Sequence, residues 1–159
     1  MTLSLSFDPL TPHPTLIALL QDTHHMQRTV HFESADSAKR YLEHLASQWH
    51  RLGYGPWLVS FGSSVIGFGG LTLDEETPGW GPELVYYLCP SATGRGFAKQ
   101  IGRRTLEFAR SLRSSHKLTQ LSAFAHPENP ASIKTLEHLG FTYQGFESSL
   151  HREYFTLRL

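Results

Sequence analysis

The sequence predicts an α+β fold, namely one domain with a central, mostly antiparallel twisted sheet of about seven strands flanked by about four helices. Short β-prone runs bounded by glycine, proline, serine or asparagine alternate along the chain with segments whose apolar residues recur at three- and four-residue spacing. Two of the predicted strand pairs are joined by a turn or a short loop, which is typical of antiparallel pairing.

The first half of the chain predicts four strands and two helices. Alternation from Leu3 to Phe7 indicates the first strand, and leucines between positions 16 and 20 indicate a first helix. After a polar, irregular segment at 22–33, helical spacing begins at Ser34 and ends before Gly53, a C-terminal cap. A Gly-Ser-Ser hairpin turn joins the next two strands, and a connection rich in turn residues leads to a third: Pro56–Phe61, Val65–Leu73 and Glu83–Leu88.

The second half predicts two helices and three strands. A strongly amphipathic helix follows a glycine-containing loop and extends to about Leu112. Asn129 and Pro130 form the preferred start of the other helix, which ends at Gly140. The strands are predicted at Leu118–Phe124, Phe141–Tyr143 and Arg152–Leu159, the last two paired across the loop Phe146–His151.

Length and composition limit the function classes. The 159 residues form one predicted domain, 1–159, with 40% hydrophobic residues. Fourteen basic residues balance 14 acidic ones, so the composition gives no support for binding nucleic acid or an anionic membrane. No apolar stretch approaches the roughly 20 residues of a membrane span. The single cysteine excludes an internal disulfide, and we expect a cytoplasmic protein.

The most informative segment is the small loop between the strand Glu83–Leu88 and the amphipathic helix. A helix that begins on such a loop presents unpaired backbone N–H groups and the positive end of its dipole, which together bind phosphate. A dinucleotide-binding fingerprint is excluded because Lys99 stands where a third small residue is needed, and no Gly-Lys-Ser/Thr follows as a P-loop requires.

Two motifs identify a known family. The loop is Thr93-Gly94-Arg95-Gly96-Phe97-Ala98, and Asn129 with Ser132 precedes Gly140-Phe141. Together they resemble the GNAT family of acetyl-CoA-dependent N-acetyltransferases, whose motifs are Gln/Arg-x-x-Gly-x-Gly/Ala and Asn-x-x-Ser/Ala leading to Gly-Phe. The segment from Tyr54 to Leu71 and the position of Glu83 are similar to the branch related to enzymes that acetylate ribosomal-protein N-termini.

The resemblance extends from about Leu3 to the end of the chain and implies both fold and activity. It implies a GNAT domain that transfers an acetyl group from acetyl-CoA directly to a primary amine in a ternary complex. The acceptor is either a protein N-terminus or a small-molecule amine. A homodimer is the oligomeric state that the family implies, and no metal is needed.

The resemblance also implies how acetyl-CoA binds. Its phosphates are bound by the backbone amides of Arg95, Gly96, Phe97 and Ala98. Gly94 allows the phosphates to approach closely, and Arg95 adds a charged contact. Leu88 and Pro90 bracket the strand end where the pantetheine arm pairs like an added strand. Asn129 and Ser132 contact the cofactor, and Asn129 also caps its helix.

Acetyl transfer to an amine needs a base, oxyanion stabilisation and departure of the thiolate. Glu83 is the first candidate base and His126 the second, although each also fits a purely structural position, at a strand end or in a turn. A backbone N–H near Leu88 is the candidate for the oxyanion. Ser132 is the candidate proton donor to sulfur, since Leu136 stands where many family members have the tyrosine that performs this step.

Three alternatives remain at this level. Cys89 as an acetylated nucleophile is disfavoured because no base neighbours it in sequence. The scattered histidines lack zinc-ligand spacing, whereas His25 and Arg28 fit a rim that binds an acceptor with an anionic group. The missing tyrosine, together with Thr93 in place of arginine or glutamine, leaves open a sensor domain that binds acetyl-CoA without turnover.

Overall fold

A computed structural model describes residues 3–159 as one domain, so positions 1 and 2 of the predicted domain lie outside the described residues. The four α-helices are α1 (Pro14–Gln21), α2 (Ala35–Leu52), α3 (Phe97–Ser111) and α4 (Pro130–Leu139). The seven strands are β1 (Leu5–Pro9), β2 (Pro56–Phe61), β3 (Ser64–Thr72), β4 (Glu83–Leu88), β5 (Gln120–Ala125), β6 (Thr142–Glu147) and β7 (Arg152–Arg158). Two short 3₁₀ turns, Pro78–Trp80 and Pro90–Ala92, precede and follow β4.

All seven strands form one sheet in the order β1-β2-β3-β4-β5-β7-β6. Neighbouring strands are antiparallel except β4 and β5, which are parallel. The predicted α+β class, a mostly antiparallel sheet with four flanking helices, is therefore confirmed.

The helices begin and end at the residues that the sequence indicates. Ser34 accepts a backbone N–H of the first turn of α2, and Gly53 ends this helix in the left-handed conformation. Asn129 caps α4 in the same way, Pro130 follows as the first helical residue, and Gly140 ends the helix. None of the helices within residues 3–159 combines the length and apolar content that crossing a membrane requires.

The sheet separates two layers of helices. On one face, leucines of α1 and α2, including Leu16 and Leu42, pack against Phe68 of β3. On the other face, α3 and α4 contribute Leu106 and Leu136 to the largest core cluster. Alternating residues of the central strands consequently face different helix pairs.

The junction of β4 and β5 interrupts the otherwise regular ladder. The two strands pair at a single position, Glu83 beside Ser122. Beyond this position they share no further pair, and the space between them is open to Tyr86 and Leu88 on β4. We call this opening the wedge.

β6 differs most from its prediction. The sequence predicted a short strand at Phe141–Tyr143 and a loop from Phe146, but the strand continues to Glu147 and Phe146 pairs with Glu153. A register shift next to Gly145, whose φ is +126°, allows the strand to continue through an irregular position. Because β6 is mostly exposed, its sequence lacks the apolar alternation that identifies half-buried strands.

Candidate functional site

The wedge opens into two adjoining clefts. The loop cleft, of about 300 Å³, lies beside the glycine loop before α3, and the Glu83 cleft, of about 490 Å³, lies beside the start of β4. The two linings share residues at the wedge: Thr29, Tyr86, Tyr87, Asn129 and Ser132. Groups bound in the two clefts would therefore meet at these side chains.

The glycine loop has the donors of an anion site. Gly94 and Gly96 have φ of +72° and +79°, and a Cβ at either position would meet no protein atom within 4 Å. Within residues 3–159, the N–H groups of positions 94–99 have no protein acceptor, and the first helical bond joins the Gln100 N–H to the Gly96 carbonyl oxygen at 3.3 Å. These amides and the positive end of α3 can bind phosphate oxygens without rearrangement.

The end of β4 presents backbone groups to the wedge. The Cys89 N–H donates to the Ile66 carbonyl oxygen at 2.8 Å, which fixes the alternation of the β3–β4 ladder. The N–H and C=O groups of Leu88 consequently point away from β3, towards the wedge. The Leu88 carbonyl oxygen accepts a hydrogen bond from His25 Nε2 at 2.8 Å. An extended ligand arm can pair with this edge of β4.

Glu83 is a carboxyl of the cleft whose pKa is raised. It is half-buried and lines the Glu83 cleft, opposite Thr72 on β3 and Ser122 on β5. Burial, with a smaller contribution from the Asp74 carboxylate, raises the pKa of Glu83 from 4.5 to about 7. A carboxyl with this pKa is partly ionised at neutral pH and holds a proton readily once it has accepted one.

Tyr86 and Ser132 form a hydrogen-bonded pair at the wedge. Their hydroxyl oxygens are 2.9 Å apart, and the Tyr86 hydroxyl also lies 3.4 Å from the Ser132 carbonyl oxygen. Burial raises the pKa of Tyr86, against the opposing effect of its hydrogen bonds, so the phenol keeps its proton at neutral pH. Sequence reasoning identified Ser132 but missed Tyr86. The available signal for Tyr86 was its position in the sequence, three residues after Glu83, which places it on the opposite face of β4.

The loop cleft contains most of the residues predicted to bind the cofactor, with two exceptions. Its lining includes Leu88, Gly94, Gly96, Phe97, Ala98, Asn129 and Ser132. Pro90 and the side chain of Arg95 lie outside this lining; the Arg95 guanidinium stacks on the rings of Phe61 and Phe97, 5.2 and 4.8 Å from their centroids. Lys99, which the sequence prediction did not include, lines the cleft.

The residues predicted to form the acceptor rim are divided between the two clefts. His25 lines the loop cleft, whereas Arg28 lines the Glu83 cleft. Arg28 donates to the Glu128 carbonyl oxygen at 2.8 Å and forms an ion pair with the Glu128 carboxylate at 3.6 Å. His126 also lines the Glu83 cleft, and its Nδ1 accepts the Glu128 N–H at 3.1 Å.

The far side of the Glu83 cleft combines an aromatic wall with a cation. Trp80 and Phe124 line the cleft and pack edge to face at 5.4 Å, and Tyr154 stacks behind Phe124 at 5.1 Å. Arg152, at the start of β7, lines the same cleft. Leu150, which lies just before β7, completes this side.

Metal-ligating side chains do not cluster here: residues 3–159 contain no group of three or more histidine, cysteine, aspartate or glutamate residues that could hold an ion. Cys89 is half-buried outside both linings, and burial raises the pKa of its thiol.

Comparison with known proteins identifies the family. Residues 5–142 match the acetyltransferase (GNAT) domain, and no curated protein matches the chain. Among solved structures, an acetyltransferase from Agrobacterium tumefaciens has 18% identity and a TM-score of 0.77, covering 100% of this chain and 95% of that one. The aminoglycoside acetyltransferase AAC(6')-Ib, in complex with coenzyme A, has 18% identity and a TM-score of 0.75 with 98% and 95% coverage. The yncA acetyltransferase from Salmonella typhimurium, with its cofactor acetyl-CoA, has 17% identity and a TM-score of 0.70 with 100% and 95% coverage. These structures share the fold, and the domain match shows that the chain belongs to the GNAT family of acetyltransferases.

Proposed function

We propose that this protein transfers an acetyl group from acetyl-CoA directly to a primary amine. The observation that supports this most strongly is the meeting of two clefts at the wedge, one with unpaired loop amides and the other with Glu83. A phosphate-bearing thioester fits the first and an amine fits the second.

The loop cleft fits acetyl-CoA on chemical grounds. Amides from Gly94 to Lys99 would bind the phosphates, because they are unpaired and lie at the positive end of α3. The exposed edge of β4 at Leu88 would pair with the pantetheine arm, in competition with the His25 contact. Asn129 and Ser132 would contact the same arm near the wedge. Acetyl-CoA supplies the activated acetyl group as its thioester.

The transfer step uses three groups of this chain. Glu83 accepts the amine proton, directly or through a water, while the amine nitrogen forms a bond to the acetyl carbon and the carbon–sulfur bond breaks. The Leu88 N–H donates to the carbonyl oxygen as negative charge develops there. The Tyr86–Ser132 pair donates a proton to the departing sulfur, so one proton is removed and one is supplied.

Direct transfer is favoured over an acetyl-cysteine intermediate. Cys89 lies outside both linings, and its thiol has a raised pKa, which reduces the thiolate that would attack the thioester. The ternary-complex route needs no residue beyond those at the wedge.

The acceptor is a protein N-terminus or a small-molecule amine. Similarity to the branch that acetylates ribosomal-protein N-termini favours the first, whereas enclosure by Trp80, Phe124 and Leu150 favours a small acceptor. AAC(6')-Ib, whose structure with coenzyme A and kanamycin covers 98% of this chain at 18% identity, provides a precedent for small acceptors on this fold. Oligomerisation as a homodimer is part of the same proposal.

Thermal unfolding with acetyl-CoA tests the cosubstrate first. At about 1 mM ligand and a Kd of about 10 μM, stabilisation is nearly 3 kcal/mol, a shift of several degrees. NAD and ATP serve as controls for general nucleotide binding. No shift with acetyl-CoA refutes the proposal.

Turnover is then measured as thiol release with a panel of amines. If acetyl-CoA shifts the unfolding temperature but no amine or N-terminal peptide is acetylated, the result would favour the alternative function, a sensor domain that binds acetyl-CoA. The alternative draws its support from Leu136, which stands where many family members have the proton-donating tyrosine.

A further inference from the structure

Arg152 is a cation of the Glu83 cleft that has no acidic partner among the described residues. Its guanidinium donates to the carbonyl oxygens of His151 and Arg28, each at 3.0 Å, and to that of Leu150 at 3.5 Å. Within residues 3–159, no carboxylate lies within ion-pair distance of Arg152. Three carbonyl contacts hold the guanidinium in place but leave its charge without a counterion.

The neighbouring basic side chains, Arg28 and His126, differ from Arg152 in this respect. Arg28 is paired with the Glu128 carboxylate, and His126 uses Nδ1 to accept the Glu128 N–H. Burial lowers the pKa of His126, and the charge of Arg152 lowers it further, which disfavours the charged form of this imidazole. The excess positive charge of the cleft therefore resides on Arg152.

The two ends of the Glu83 cleft have opposite character. Glu83 lies at the β4 end and Arg152 at the β7 end. The same lining contains an apolar surface, formed by Trp80 and Phe124 on one side and Leu150 at the rim. A ligand with an amine at one end, an apolar body and an anionic group at the other matches this order of surfaces.

We propose that the acceptor is an amino carboxylate whose amine and carboxylate are separated by an apolar segment, and that Arg152 binds the carboxylate. The inference rests on the proposed function, because the amine must reach Glu83. Arginine is suited to this task since its planar guanidinium binds a carboxylate through two parallel hydrogen bonds. The same charge repels polyamines, whose positive ends find no partner at Arg152.

Matched acceptor pairs test the proposal. Each pair consists of an amino carboxylate and the amine that is left when its carboxylate is removed: 6-aminohexanoate with pentylamine, 8-aminooctanoate with heptylamine, and 4-(aminomethyl)benzoate with benzylamine, with spermidine as the polyamine. The wild-type protein should use at least one carboxylate-bearing member with a kcat/KM about tenfold or more above its partner. Arg152→Gln should lower that value about 10- to 100-fold and leave the partner within about threefold.

Control variants separate recognition from folding. Arg152→Lys keeps the charge and should recover part of the loss. Arg158→Gln removes an exposed arginine from the far end of the same strand and should leave both acceptors unchanged. If Arg152→Gln lowers both members of a pair equally, its role is structural and the proposal fails.

Two further outcomes overturn the proposal. Turnover confined to spermidine or to carboxylate-free amines would exclude an anionic acceptor while leaving acetyl transfer intact. Absence of turnover with every pair, in protein that acetyl-CoA stabilises thermally, would also exclude it. Absence of stabilisation by acetyl-CoA is a separate result, which refutes the proposed function itself.

Discussion

Replacing Glu83 with glutamine tests the proposed base directly. The substitution keeps the size of the side chain and its hydrogen-bonding shape but removes the ability to accept a proton. Because a positioned general base contributes about 10²- to 10⁴-fold, kcat/KM should fall by about this factor while the Kd for acetyl-CoA stays unchanged. In the wild type, kcat/KM should rise about tenfold per pH unit and level off near the Glu83 pKa of about 7.

The same substitution should stabilise the protein above neutral pH. The pKa of Glu83 is about 7 in the folded protein against an ordinary value of 4.5, so between these values the folded state binds more protons than the unfolded state. The contribution of Glu83 to the unfolding free energy therefore falls as pH rises from about 4.5 to about 7. Glutamine does not titrate, so the stability advantage of Glu83→Gln should grow across this window to roughly 3 kcal/mol.

Urea denaturation at pH 5, 6, 7 and 8 measures this difference, and steady-state thiol release measures the rate. Glu107→Gln, an exposed substitution on α3, is the matched control and should change neither quantity. A variant with normal activity would refute the assignment of Glu83 as the base. If His126→Ala then removed the activity, the base would be His126. A pH-independent stability difference would refute the raised pKa.

Three further predictions concern the loop, the proton donor and the sheet. Gly94→Ala should raise the Kd for acetyl-CoA about tenfold, as measured by titration calorimetry. Gly145 is also at positive φ with open space around it, so both substitutions should lower the unfolding free energy by about 1–2 kcal/mol, but Gly145→Ala should leave binding unchanged. Tyr86→Phe and Ser132→Ala should each lower kcat about tenfold, and the double variant should lose little more because the two hydroxyls act as a pair; additive losses would show independent roles. Gly69→Ala should lower the unfolding free energy in urea by about 2 kcal/mol, since its Cβ would lie 2.6 Å from the Val85 carbonyl oxygen; an unchanged midpoint would mean that β3 and β4 separate without cost.

The fold was predictable because its elements have strong local signals. The apolar spacing of α2 with its Ser34 cap, and the Asn129-Pro130 start of α4, are determined by nearby residues and need no tertiary information. β6 was predicted too short because its exposed residues show no alternation, and its pairing with β7 is a long-range property.

The site was predictable in part for the same reason. The glycine loop is local, and the resemblance to a known family placed Glu83 and Ser132. Arg152 and Trp80 could not be assigned from the sequence. Arg152 reaches the cleft only through the packing of β7, and Trp80 only through the packing of the turn before β4 against β5. The contact between His25 and the Leu88 carbonyl spans 63 positions and had no sequence signal.

The arrangement of β4 would let one short strand serve both halves of the proposed reaction. Glu83 and Tyr86 are three residues apart, so strand alternation directs them to opposite faces, while the Leu88 N–H lies in the plane of the sheet at the wedge. In the proposed reaction, one proton would be removed on the α2 side of the sheet and one would be supplied on the α4 side. Tyr86 packs into the core cluster that contains the buried Leu136. We infer that Tyr86 takes over, from the neighbouring strand, the proton donation that a tyrosine on α4 performs in other members of the family.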